Sequence, residues 1–199
     1  MTRALVVLAH PVQDSLCRHL AGRATAVAQA QGWEVALRDL CEDGFDPRLT
    51  SNERSSYYSG FHGEDQNLLE ELARAQVLIL VFPTWWFGFP AVLKGWFDRI
   101  WAPGTAFDHA PGFGPMIPRL HGLREVLAIT TMGAPGWVDW LVMRRPLRRV
   151  LRWGIVRPCA PKARISWRAL YRAESVGPGR LAGFEARIGQ EIAAMARRL

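Results

Sequence analysis

The sequence predicts an α/β protein in which five parallel strands form one doubly wound sheet with helices on both faces. Residues 3–9 and 77–82 are continuous apolar runs, which are typical of strands buried on both faces. Such runs alternate with helical patterns along the chain, and this alternation favours a parallel sheet. We expect residues 1–199 to form a single domain of this kind.

Each predicted element has a local signal. Ser15 is a typical N-cap and Gly32 a typical helix end, so the first helix lies between them. Pro83 ends the third strand because proline cannot donate to a ladder, and Pro90 suits the first turn of the next helix. The predicted elements are, in chain order, a strand at Arg3–Ala9, a helix to about Gln31, a strand at Trp33–Leu40, a loop at 41–63, a helix at Asp65–Arg74, a strand at Val77–Phe82, a helix from Ala91, an irregular segment at 102–121, a strand at Glu125–Thr131, a helix at Trp140–Leu151 interrupted near Pro146, a strand at Lys162–Trp167 and a helix at Arg180–Leu199.

Composition narrows the function only in part. The formal net charge of +7 favours anionic partners, which include the phosphates of a dinucleotide, nucleic acid and an acidic surface. Cys17, Cys41 and Cys159 are odd in number and lack metal-ligand spacing, so we expect neither a disulfide framework nor a metal site. We expect a cytoplasmic protein, with residues 4–9 forming a strand and not a signal peptide.

The densest motif is PTWWFGFPAVLKGWFDR at residues 83–99. It places Trp85, Trp86 and Phe87 just beyond the carboxyl end of a predicted strand, where ligands bind in open parallel sheets. A flat aromatic ligand suits such a loop. The motif resembles the signature of the flavodoxin-like NAD(P)H:quinone oxidoreductases, a family that includes quinone reductases, modulators of drug activity and ancillary proteins of potassium efflux systems.

The loop after the first strand, residues 9–16, leads into a helix N-terminus, where free N–H groups and the helix dipole favour a phosphate. Taken alone, Ser15 is equally well explained as a simple cap and His10 as an ordinary loop histidine. Members of the family resembled carry a histidine and a serine here that touch the cofactor pyrophosphate. Cys17 stands where that family often has a small polar residue.

The resemblance implies the strand order 2-1-3-4-5, FAD rather than FMN, and a homodimer with sites across its interface. It implies a flavin-dependent NAD(P)H oxidoreductase in which NAD(P)H and then a quinone or similar acceptor use one slot in a two-electron ping-pong reaction. Backbone N–H donors near the ring would stabilise the negative charge of the reduced flavin. The predicted cofactor-binding residues are His10, Ser15, Leu16, Cys17, Gln66, Pro83, Thr84, Trp85, Trp86, Phe87, Thr130, Thr131 and Gly133.

Residues 136–140, GWVDW, lack the tyrosine and histidine that mammalian quinone reductases place after the corresponding Thr-Thr loop. Trp137 and Trp140 either stack on the acceptor or only pack. Further on, helical spacing would place Arg145, Arg149 and Arg152 on one stripe, which either meets the 2′-phosphate of NADPH or is a solvated face.

Two other functions remain open from the sequence. A regulatory subunit of a membrane transporter would keep the flavin fold and turn its basic surface to the membrane or a partner. A nucleic-acid-binding protein is favoured by charge alone. Of these three functions we expect the flavin-dependent oxidoreductase, and we expect no nucleic-acid partner.

Overall fold

A computed structural model describes the backbone of residues 1–199 and every side chain other than that of Phe113. The strands are β1 (Arg3–Leu8), β2 (Glu34–Asp39), β3 (Val77–Pro83), β4 (Phe107–Asp108), β5 (Ile117–Pro118), β6 (Glu125–Met132) and β7 (Arg164–Tyr171). The α-helices are α1 (Leu16–Ala30), α2 (Ser51–Ser56), α3 (Gln66–Arg74), α4 (Ala91–Ile100), α5 (Pro146–Arg149), α6 (Arg157–Cys159) and α7 (Pro178–Ala196). Further turns are π-helical at Val138–Val142 and Val150–Val156 and 3-10 at Pro111–Phe113 and Ala173–Ser175.

The main sheet has five parallel strands in the order β2-β1-β3-β6-β7. The short strands β4 and β5 pair only with each other, so β6 and β7 are the fourth and fifth strands of the predicted order, which is confirmed. The chain passes from β1 outward to β2 and then returns to β3 on the other side of β1. The strand order therefore reverses between β1 and β3, and this is the position at which open α/β sheets bind ligands.

Two apolar layers cover the sheet. One face packs against α1 and α7 through residues such as Leu20, Ala24 and Ile188, and the other packs against α3 and α4 through Leu72 and Trp96. All residues of β3 are buried, as its continuous apolar run predicts, and all residues of β6 are buried as well. No helix in the described part of the chain is both long enough and apolar enough to cross a membrane.

The segment 41–63, predicted as a loop, contains helix α2. Its N-terminus is a capping box: Thr50 Oγ1 accepts from Glu53 N, and the Glu53 carboxylate accepts from Thr50 N. The prediction was wrong here because the helix is polar along its length and has no apolar periodicity. The segment 102–121, predicted as irregular, likewise contains the β4–β5 pair.

The 41–63 segment is fastened to α4 by two contacts. The Arg99 guanidinium donates to both carboxylate oxygens of Glu53 at 2.8–3.1 Å, and Arg99 Nη1 donates to Asp46 O at 2.6 Å. Arg99 and Glu53 are 5% and 1% exposed. One turn earlier, a Cβ at Gly95 would lie 2.2 Å from Pro47 O, so only glycine permits the observed approach.

The helical segment after β6 is longer than predicted and less regular. It begins at Val138 and continues to Cys159, with left-handed backbone at Arg144 and Arg145, whose φ angles are 55° and 52°. Arg145 precedes helix α5, and part of the following segment is π-helical. The expected stripe of Arg145, Arg149 and Arg152 at α-helical spacing is therefore not formed.

Candidate functional site

Loops from three adjacent strands meet at one edge of the sheet. Residues 9–15 follow β1, residues 84–90 follow β3 and residues 133–137 follow β6. Backbone hydrogen bonds join their bases: Ala9 N donates to Val81 O at 3.0 Å, and Thr84 N donates to Thr131 O at 2.7 Å. The structure thus brings together the segments that the sequence singled out.

Side chains of the same segments tie the loops to one another. The hydroxyl oxygens of Thr84 and Thr130 are 2.7 Å apart, and Thr131 Oγ1 lies 3.4 Å from Cys17 Sγ. Thr130, Thr131 and Cys17 are buried. Burial raises the pKa of the Cys17 thiol to about 11, which keeps it neutral. These side chains therefore help to hold the strand ends in place.

The four residues Trp85–Gly88, here called the aromatic turn, form a tight turn. Trp85 N donates to Gly88 O, and Gly88 N donates to Trp85 O at 2.8 Å. The two central residues, Trp86 and Phe87, have φ angles of 51° and 57°, in the left-handed region that bulky residues avoid. Such strain costs on the order of 1–3 kcal/mol per residue and is concentrated at functional sites. Trp86 is fully exposed, so its indole packs on nothing within the described chain.

The N-terminus of α1 faces the same edge. Ser15 is the N-cap, as predicted, and its Oγ accepts from Arg18 N at 3.2 Å. The amides of Leu16 and Cys17 lie in the first turn, before intrahelical acceptors are available, so they are free donors for an anion. His10 Nδ1 accepts from Val12 N at 3.1 Å, and its ring centroid lies 6.3 Å from that of Trp85.

The other predicted residues occupy more peripheral positions. Gln66 begins α3, and its amide donates to Gly63 O within its own loop. Trp137 and Trp140 are half exposed, beside the loop that follows β6. A Cβ at Gly133 would lie 3.1 Å from Glu174 Oε1, which places that carboxylate at the margin of the site.

Tyr171 was missed from the sequence. The fifth strand was predicted to end at Trp167, but it continues to Tyr171, whose ring would lie 3.1 Å from a Cβ at Gly136. Its hydroxyl donates to Asp139 Oδ2 at 2.8 Å, and burial together with this bond raises the pKa of Tyr171 to about 12. A tyrosine thus reaches the loop after β6 from a neighbouring strand. Residues 168–170, RAL, are not typical strand formers, so the sequence carried little signal for this extension.

A cavity of about 470 Å³ lies elsewhere, against α4, with Tyr57, Trp101 and Cys159 in its lining. Among the residues described, none of the predicted cofactor ligands lines it. Trp101 follows the motif at residues 83–99, where an exposed aromatic side chain would suit a dimer contact, but it is 6% exposed and packs against Trp96 and Phe97. We locate the candidate site by the strand-end loops, because the strained turn, the free amides and the reversal of strand order coincide there.

The fold and the strand-end loops define a flavodoxin-like α/β protein. The chain belongs to the family described as having a flavodoxin-like fold, whose model matches residues 2–176. The family resemblance inferred from residues 83–99 is thereby confirmed.

Similar proteins carry related names. An uncharacterized NAD(P)H oxidoreductase of Haemophilus influenzae is 38% identical over 110 residues, which are 54% of this chain and 54% of that protein. The NAD(P)H dehydrogenase [quinone] 1 of Cavia porcellus is 32% identical over 157 residues, 67% of this chain and 54% of that protein. The matched region thus spans about half the length of these relatives. The solved structure of a putative quinone reductase from Klebsiella pneumoniae superposes with a TM-score of 0.83 at 23% identity, covering 98% of this chain and 85% of that one, and shows the fold.

Proposed function

We propose that the protein is a flavin-dependent NAD(P)H oxidoreductase that reduces quinones or similar acceptors by two electrons. The observation that carries the proposal is a fully exposed Trp86 in a strained turn, at the same edge of the sheet as the free amides of α1 and where the strand order reverses. A protein bears the cost of such strain where a ligand uses the resulting geometry. The names of the relatives support the same reaction class.

The residues present fit a flavin dinucleotide. The aromatic turn supplies a flat wall for a tricyclic ring. The amides of Leu16 and Cys17, with the Ser15 hydroxyl as a further donor, supply the anion site for a diphosphate. The side chains of Thr130 and Thr131 make contacts within the protein, and in this proposal main-chain groups of the loop that follows them face the ring.

In this proposal the protein binds and orients, while the flavin, when bound, supplies hydride and electron transfer between nicotinamide and quinone. Trp86 and Phe87 would hold the ring plane, and N–H groups of the strand-end loops would stabilise negative charge that develops on the ring. Trp137 and Trp140 flank the slot that nicotinamide and acceptor occupy in turn. Tyr171 supports the loop after β6 through Gly136 and Asp139.

We propose FAD as the cofactor, with the adenosine half extending toward Gln66, whose helix begins at the same edge of the sheet. We also propose a cytoplasmic homodimer. The half-exposed Trp85 remains a candidate for the dimer contact, whereas the buried Trp101 does not.

The decisive experiment is an absorption spectrum of the purified protein, followed by mass determination of the flavin released on denaturation. We expect flavin absorption that is bleached by NADPH or NADH without oxygen and restored by a soluble quinone. Release of FMN instead of FAD would show that the proposed cofactor is wrong, while the proposed reaction would stand. A protein that neither retains nor binds added flavin would refute the proposed function.

A further inference from the structure

Exposed apolar side chains are concentrated on the segment Trp137–Arg157, here called the arginine–tryptophan segment. Seven of its large apolar side chains are between 38% and 62% exposed: Trp137, Trp140, Leu141, Val142, Met143, Val150 and Trp153. Exposed apolar side chains gathered on one segment are typical of an interaction surface, although Val150 also lines the cavity against α4. Only Trp137 and Trp140 have a place in the proposed function, so the remaining side chains require another explanation.

The same segment begins the most basic part of the chain. Residues 140–173 contain nine arginines and one lysine and no aspartate or glutamate. Asp139, which precedes them, is 4% exposed and accepts from Tyr171, so it adds no acidic group to the surface. Arg144, Arg145 and Arg149 are exposed. The net charge of +7 is therefore distributed unevenly along the sequence, with residues 140–173 as its most basic stretch.

A recess of about 250 Å³ adjoins the segment. Four guanidinium side chains line it, together with Trp167, Tyr171 and Phe184, and they come from three elements: Arg145, Arg148, Arg168 and Arg187. Among the residues that line it, no acid is present. Arg168 already donates to Glu191, so Arg145, Arg148 and Arg187 supply the positive charge with which the recess could accept a phosphate group.

We propose that the arginine–tryptophan segment is a docking surface for a bilayer that contains anionic phospholipids. Basic segments with tryptophan and leucine on the apolar side bind in the plane of the membrane interface, with apolar side chains among the acyl chains and arginines at the headgroups. Tryptophan itself favours this boundary. The recess would then receive a headgroup phosphate.

Charge argues against a second copy of this chain as the occupant. A two-fold interface sets one patch against itself, so it would bring the exposed arginines of both copies together without acids to pair them. Nucleic acid would satisfy the arginines but leave Leu141 and Val142, each 60% exposed, in water. An anionic bilayer satisfies both kinds of side chain.

The location of this surface also indicates the class of electron acceptor, an inference that rests on the proposed function. The segment begins with Trp137 and Trp140, directly after the loop that follows β6. Docking would place the acceptor slot beside the lipid phase. We therefore infer that the acceptor class is a lipid-soluble quinone drawn from the bilayer.

The test uses the full chain and sedimentation with vesicles of phosphatidylcholine, with or without phosphatidylglycerol. We expect binding to the anionic vesicles that weakens as salt is raised. Leu141→Ser with Val142→Ser should reduce this binding and leave reduction of a water-soluble quinone unchanged. Since an arginine near an anionic surface contributes roughly a five-fold gain, replacing Arg144, Arg145 and Arg149 with Gln should weaken binding by about 100-fold.

The matched control replaces exposed arginines elsewhere, Arg23, Arg124 and Arg197, with Gln. It lowers the net charge equally and should retain most of the vesicle binding. Failure of the wild type to bind anionic vesicles, or equal losses in the control, would overturn the docking proposal. The proposal would also be overturned if the Leu141/Val142 variant changed from dimer to monomer and still bound vesicles. That result would show that this surface is a contact between two copies of the chain. Vesicle binding by a protein without flavin would uphold docking while refuting the reaction.

Discussion

Trp86→Gly should stabilise the protein while weakening cofactor binding. Trp86 has a φ angle of 51° and is fully exposed, so its indole contributes no burial to the folded chain. A left-handed backbone costs an L-residue about 1–2 kcal/mol, and glycine removes that cost. Glycine also gains about 0.5–1 kcal/mol of backbone entropy in the unfolded chain. The net expectation is a stabilisation of about 0.5–1 kcal/mol.

The measurement is urea denaturation of flavin-free protein, supported by thermal unfolding, in which Tm should rise by roughly 1–4 °C for a chain of this size. The same preparation should bind flavin more weakly because one wall of the ring site is gone. Trp86→Tyr keeps a flat ring and the strain, so it should retain more of the flavin affinity and gain no stability.

Trp153→Gly is the matched control, since it removes another exposed tryptophan from a position with helical backbone. There glycine should destabilise by about 1 kcal/mol. If Trp86→Gly destabilises the flavin-free protein as Trp153→Gly does, the strain argument is wrong. If it leaves flavin affinity unchanged, the aromatic turn is not the ring site.

Three further predictions concern groups away from the ring site. Glu53→Gln should destabilise by about 3 kcal/mol in urea denaturation, because the buried Arg99 guanidinium loses its bidentate carboxylate and keeps only that of the more exposed Glu64, at 3.6 Å. A loss below about 1 kcal/mol would show that the pair is not buried in solution. The pKa of Tyr171 is raised from an ordinary 10.0 to about 12 in the folded protein. As pH rises, the unfolded chain therefore loses this proton at a lower pH than the folded protein does. The free energy of unfolding should fall between pH 10 and pH 12 as a result. Tyr171→Phe should show a shallower decline over that range, and parallel curves would contradict the pKa. Iodoacetamide should modify the half-buried Cys41 before Cys17, whose thiol is buried and has a pKa of about 11; mass mapping that finds Cys17 first would indicate that the strand-end contacts open readily.

The sheet was predictable because its central strands are buried on both faces. A run such as VLILVF has no exposed position to interrupt it, so β3 was placed from composition alone. The order of the strands was not available in that way, since a parallel pairing joins segments far apart in sequence. It came from the motif at 83–99, which resembles a family whose strand order is known.

The helix α2 shows how a local signal is lost among polar residues. Thr50 and Glu53 have the spacing of a capping box, but no apolar run follows to indicate a helix. What fixes the segment is Arg99, forty-six residues from Glu53. Burial of that pair is a property of the tertiary structure and leaves no periodicity in the sequence.

In the candidate site, too, some features were predictable from the sequence and others were not. Ser15 was placed by a capping preference that acts over three residues. The conformation of Trp86 and Phe87 was not predictable, because both residue types disfavour a left-handed backbone and only the surrounding loops impose it. The side-chain contacts of Thr130 and Thr131 likewise depend on partners from other strands.

Because Gly95 has no side chain, the 41–63 segment can approach α4 closely, and this contact has a consequence for affinity toward the proposed cofactor. A methyl group there would collide with Pro47 and push α4 off the 41–63 segment. Because α4 starts three residues after Gly88, the shift would be passed along the helix to the indole wall. If the proposed flavin site is right, changes in the 41–63 segment would thus alter flavin affinity without replacing any residue of the aromatic turn.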